Sequence, residues 1–213
     1  MKWQIKYALE NIKKETNVIS SGHVGGDAVN ISIREQPDVL AIISDSYRVN
    51  EEQARNYHAE FPNLDFLCGY RKECIWEGGA ISYLENNGIG WGSAGTLYSA
   101  IYSENINIAS HKDYSFAVRI INQLRVVRNV VREFDRILSV TLVNGRHFRI
   151  GMVREYEPTA DAIRTIWEIC GPIDIAWNIN PNGNPTLNAI DAGLELGCKV
   201  MKWEELKAFL QSP

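Results

Sequence analysis

The chain has 213 residues, 45% of them hydrophobic and 23% charged, with a formal net charge of -4. That length suits one medium domain or two small ones, each able to bury a core, and the acidic balance excludes a uniformly basic nucleic-acid-coating surface. The N-terminal residues 1–16 lack a continuous apolar core of the signal-peptide kind, and no later run is long enough to cross a membrane, so a cytoplasmic protein is expected.

Residues 3–14 read as an amphipathic helix with Trp3, Tyr7, Leu9 and Ile12 on one side. The run SSGHVGGD (20–27) reads as a glycine-rich turn, and AVNISI (28–33) alternates as a half-buried strand does. Residues 34–38 turn the chain, and VLAIIS (39–44) is a continuous apolar run, expected as a strand covered on both faces. Residues 50–61 form a helix with Asn50 as N-cap. LDFLCGY (64–70) is the next strand, AISYLENN a helix stopped at Gly88, IGWG a short strand, and TLYSAI a last helical turn or two.

Residues 102–114 break this pattern, and 106–114 are expected to link a first repeat (1–105) to a second (115–213). In the second, residues 115–135 read as one long helix. Residues 136–153 read as a hairpin around Asn144-Gly145, a pair that tolerates the positive φ angles of a type I′ turn. A helix capped by Thr159 follows, then the strand IDIAWNI, an asparagine-rich loop, a helix ending at Gly197, the strand CKVMKW and a final helix.

The two halves repeat the same order. A shift of 109 residues superposes 39–101 on 148–210 without a gap and matches Gly88 to Gly197 and Asp65 to Asp174. Only seven of those 63 positions are identical, so the case for duplication rests on order and spacing.

Ligands of α/β sheets gather beyond the carboxyl ends of strands. The polar residues there are Asp45, Ser46, Tyr47 and Arg48, and in the second half Arg154, Glu155, Tyr156 and Glu157. The loop after the next strand carries Arg71, Lys72, Glu73, Trp76 and Glu77, able to hold a phosphate, stack on a base and accept from a sugar. Its counterpart carries Asn178, Asn180, Asn182 and Asn184, whose amides could read a ligand but are also what turns demand. Arg125, Arg128, Arg132 and Arg136 fall at i, i+3, i+7 and i+11, a stripe suited to phosphates if the segment is helical. The histidines His23, His58, His111 and His147 show no metal-ligand spacing, and the four cysteines are expected as buried thiols, which suits a reducing compartment. Trp91, Trp167, Trp177 and Trp203 are expected in the core.

The order of hairpin, helix, strand, helix, short strand and helix resembles the restriction-endonuclease-like superfamily, its Mrr-type branch most closely. The stretches AISYLENNGIGWGSAGTLYSAI and NAIDAGLELGCKVMKWEELKAFL both look like the tail of that domain. The resemblance implies an α/β fold of two tandem αββαβα repeats packed as a pseudo-dimer. It also implies an Asp on one hairpin strand and a Glu-x-Lys on the next, holding magnesium or manganese. Asp27 is similar in placement to the first; Glu35 stands near the second, with no lysine behind it. In the second half Arg136 replaces Asp27, and no acid follows. The expectation is a non-catalytic protein that binds DNA, RNA or a nucleotide. Its alternatives are a metal-dependent nuclease using Asp27 and Glu35, a nucleotide-acting hydrolase or transferase, and a protein-interaction module or homo-oligomer of a phage or defence system.

Overall fold

A computed structural model describes residues 1–103 and 105–212. The chain is mixed α/β and divides into two compact units, Met1–His111 and Lys112–Pro213. The division falls inside the expected linker. Residues 106–109 belong to the first unit: Ile106–Ile108 forms a short 3-10 turn, Ile106 is buried in its core, and Trp91 N–H donates to the Ala109 carbonyl at 2.9 Å.

The first unit runs α1 (Trp3–Ile12), β1 (Val18–Gly25), β2 (Ala28–Ile33), β3 (Val39–Ser44), β4 (Arg48–Val49), α2 (Glu51–Glu60), β5 (Phe66–Gly69), β6 (Ile75–Trp76), α3 (Gly78–Asn86), β7 (Gly90–Ser93) and α4 (Ala94–Ala100). Its main sheet has the order β1-β2-β3-β5-β7, antiparallel across β1, β2 and β3 and parallel from β3 onward. Alternation on β2 splits its side chains between two cores. Val29, Ile31 and Ile33 face α1 and α4, while Ala28 faces α2 and α3. The middle strand β3 is apolar from Val39 to Ile43 because helices cover both its faces. Asn50 caps α2 with a reciprocal bond to Gln53, as its position suggested.

The second unit runs α5 (Lys112–Asn122), β8 (Val127–Phe134), β9 (Ile137–Leu142), β10 (His147–Val153), α6 (Ala160–Cys170), β11 (Ile175–Asn178), α7 (Leu187–Leu196), β12 (Lys199–Met201) and α8 (Trp203–Gln211). Its sheet order is β8-β9-β10-β11-β12. The shift of 109 residues carries strand pairing in one unit onto the other. Ala41 pairs Phe66 as Ile150 pairs Ile175. Asp65 accepts from the Leu40 N–H as Asp174 accepts from the Arg149 N–H. The register slips between Val18 and Ser20 and between His23 and Gly25 recur between Val127 and Asn129 and between Arg132 and Phe134.

Several expectations are corrected. Residues 20–25 are strand, not turn, because β1 hydrogen-bonds along β2. Residues 115–135 are not one helix: α5 ends at Asn122 and β8 begins at Val127, so each half has three main-sheet strands before its second helix. The buried side of α1 is Gln4, Ile5, Ala8, Leu9 and Ile12, which turns Trp3 and Tyr7 outward. The hairpin loop is Val143–Gly145, not a type I′ turn. Gly145 alone takes a positive φ, 87°, its N–H donates to Leu142 O at 3.0 Å, and Asn144 Oδ1 accepts from the Arg146 N–H at 3.1 Å. All four cysteines are free and buried. Among the described residues no helix is long and apolar enough to cross a membrane.

Candidate functional site

The richest polar constellation lies in the first unit, where β3 and β5 end. Because β2 runs antiparallel to β3, Asp27 at the head of β2 is level with the end of β3, and its carbonyl accepts from the Ile43 N–H at 2.8 Å. Its side chain is 8% exposed and meets Lys2, Gln4 and Tyr57. Lys2, just before α1, approaches the carboxylate at 2.9 and 3.1 Å. Gln4 Nε2 donates to Asp27 Oδ1 and to the Ile43 carbonyl, both at 3.4 Å. From α2, the Tyr57 hydroxyl donates to Asp27 at 3.2 Å and to Ser44 Oγ at 3.3 Å. Ser44 donates onward to Ser46 at 3.1 Å, and Ser46 also accepts from Gln53. The Asp27 hydrogen bond holds the Lys2 pKa above its ordinary value, and burial raises that of Tyr57.

Beside this network stands an aromatic cluster. Arg71 leaves the end of β5 and places its guanidinium carbon 4.9 Å from the Trp3 ring centroid and 4.6 Å from that of Tyr47. Its Nε donates to the Asp45 carbonyl at 3.0 Å. Trp3 packs edge-on against Tyr70 at 6.0 Å and Tyr7 at 6.3 Å. Trp3 is 44% and Tyr47 66% exposed, so both rings keep open faces for a ligand. The cluster brings together residues 3, 47 and 71, which no sequence motif joins.

The remaining candidates distribute as follows. Trp76 is 3% exposed and packs on Trp91 at 5.2 Å, so it builds the core and is closed to a base. Glu77 pairs with Arg48 at 2.8 Å, while Lys72 and Glu73 are exposed on the turn. Glu35 follows β2, whereas Asp27 precedes it. The six intervening strand residues hold the two carboxylates about 20 Å apart, so they cannot share a metal.

A divalent cation, which the nuclease resemblance implies, does not fit Asp27 either. Its carboxylate already serves an ammonium, an amide and a phenol, and the residue level with it on β3 is Ile43, which offers no ligand atom from its side chain. Among the described residues no group of three or more His, Cys, Asp or Glu is placed to hold a metal.

In the second unit the same position carries Arg136, whose Nη2 bonds Asp135 at 2.9 Å. Burial opposes its charge, but the adjacent Asp135 carboxylate prevails and holds its pKa above the ordinary value. Arg154 lies over the Tyr114 ring at 5.3 Å. Tyr156 is exposed like Tyr47, and Glu155 is exposed beside it. Asn180 stands where Arg71 would be. The asparagine loop engages its side-chain oxygens locally, while the buried Asn178 Nδ2 has no hydrogen-bond partner among the described residues. Asn178 is buried and accepts from the Asn180 N–H at 3.0 Å, Asn180 accepts from the Asn182 N–H at 3.1 Å, and Asn184 accepts from Lys202 at 2.8 Å. Gly183 sits so close that an added Cβ would lie 2.7 Å from the Asn178 amide.

The arginine stripe does not form. Arg125 precedes β8, Arg128 lies at its first slip and is exposed, and Arg132 stands opposite Leu138 on the core-facing side. Residues that sequence reading missed are Lys2, Trp3, Gln4, Ser44, Gln53, Tyr57 and Tyr70. The one available signal was placement, since Ser44 and Tyr70 end strands beside the loops already singled out. No family model, curated protein or solved structure matches the chain.

Proposed function

We propose that this chain is a non-catalytic nucleic-acid- or nucleotide-binding protein built of two tandem, degenerate restriction-like halves, with its ligand site in the first. The order of helix, three main-sheet strands, helix, strand, helix, strand and helix, shared by both units with the short β4 and β6 added in the first, supports the restriction-like reading. The observation that carries the function is the exposed pair of rings, Trp3 and Tyr47, held about a guanidinium at the open end of the sheet. Aromatic faces with an interleaved cation bind bases by stacking, with little dependence on sequence. The Asp27 network supports binding without cleavage, because its carboxylate anchors Lys2 and Gln4 at the head of α1, beside Trp3.

The test is fluorescence-detected binding of short labelled single- and double-stranded DNA and RNA, at low and near-physiological salt, with and without manganese. Single strands bind and stay intact. With Arg71 and Lys72 as the available cations, the slope of log K against log salt is about -1.4. Absence of saturable binding at low salt overturns the reading, as does manganese-dependent cleavage that Asp27→Ala abolishes.

A further inference from the structure

The guanidinium of Arg71 is oriented on three sides and unfinished on the fourth. Trp3 and Tyr47 lie near it, Nε is fixed on the Asp45 carbonyl, and neither Nη has a hydrogen-bond or ion-pair partner among the described residues. A guanidinium so held presents two parallel N–H donors, the geometry that matches two oxygens of one phosphate. The ordering cost of a long side chain is thereby met before any ligand arrives.

The neighbouring charges limit how much phosphate the site can take. Lys2 is engaged by Asp27 and Arg48 by Glu77, while Glu73 follows Arg71 by two residues in the chain and Asp45 meets it in space through its carbonyl. Lys72 is the cation left beside the fork. A phosphodiester backbone needs a row of cations along its path, and this surface offers one fork and one lysine.

We infer that Arg71 is the receptor for a single terminal phosphate, carried by a mononucleotide or by the end of a short single strand whose base stacks on Trp3 or Tyr47. This rests on the binding function proposed above and names what the same site selects.

The full chain is titrated with AMP, adenosine and inorganic phosphate, and with a labelled single-stranded oligonucleotide with and without a 5′ phosphate. The expected result is AMP binding about 10- to 100-fold tighter than adenosine, or the phosphorylated strand exceeding its dephosphorylated form by as much. The first pattern assigns a free nucleotide and the second a strand end. Arg71→Lys, which keeps the charge but loses the fork, removes most of the difference, and Arg71→Ala removes all of it. Unchanged circular dichroism and unfolding midpoint show that both variants fold. Equal binding with and without phosphate overturns the inference while leaving the proposed function standing. A phosphate preference that survives both substitutions also overturns it. If inorganic phosphate binds through Arg71 and the nucleoside adds nothing, the phosphate receptor stands and the nucleotide-binding function falls.

Discussion

Replacing Asp27 by alanine gives the sharpest test of how the first unit is held together. The side chain is 8% exposed and ties the head of β2 to α1 and α2 through one ion pair and two hydrogen bonds. Lys2 is 55% exposed, so solvent screens the pair and its loss costs about 0.5 kcal/mol. Two hydrogen bonds to a buried carboxylate are worth about 1.5 kcal/mol each at the low end. Part of this is recovered, because Gln4 keeps the Ile43 carbonyl and Tyr57 keeps Ser44. The net cost is about 2 kcal/mol. With a urea m-value of roughly 1.5 kcal/mol per molar, the first unit's midpoint falls by about 1.3 M. Urea unfolding followed by tryptophan fluorescence, fitted to two transitions, measures it, and limited proteolysis shows which unit moved. A loss under about 0.5 kcal/mol would refute the claim that Asp27 anchors these elements. The pair also has a pH signature. The Lys2 pKa is raised in the folded state, so its contribution is complete below the ordinary value of 10.5 and fades as pH rises through the folded value. Asp27→Ala removes that alkaline loss.

Two of the three first-unit tryptophans, Trp3 in the cluster and Trp76 in the core, separate binding from packing. Trp3→Ala weakens oligonucleotide binding about tenfold or more and lowers stability by less than about 1 kcal/mol, whereas Trp76→Ala costs about 3 kcal/mol or more of stability, read by thermal or urea unfolding. In the second unit, Arg149 bonds Glu133 at 2.7 Å and the Cys170 carbonyl at 2.6 Å. Arg149→Ala lowers that unit's stability by about 2–3 kcal/mol in the same assay. Arg128→Ala, at an exposed edge position, leaves stability within about 0.5 kcal/mol and single-strand binding unchanged; a tenfold loss of binding there would move the site to β8.

The sequence by itself determined the period of the fold. A continuous apolar run marks β3 because both its faces are covered, alternation marks β2, and Asn50 and Thr159 mark the starts of α2 and α6 because their side chains meet orphaned backbone N–H groups. The spacing of 109 residues follows from those local signals. Tertiary structure decided the rest. β8 reads VRNVVREF, a spacing of valines and arginines that suits a helix as well as a strand. Its register slips break the period of two, so only pairing with β9 settles it. β1 is rich in serine and glycine and carries little apolar signal, and its strand exists because β2 offers it a ladder. Gln4 is buried and Trp3 turned outward because Asp27, 23 residues beyond Gln4, supplies the amide with an acceptor inside. Trp3, Tyr47 and Arg71 meet because parallel pairing of β3 and β5 sets their ends side by side, a juxtaposition that depends on contacts distant in sequence.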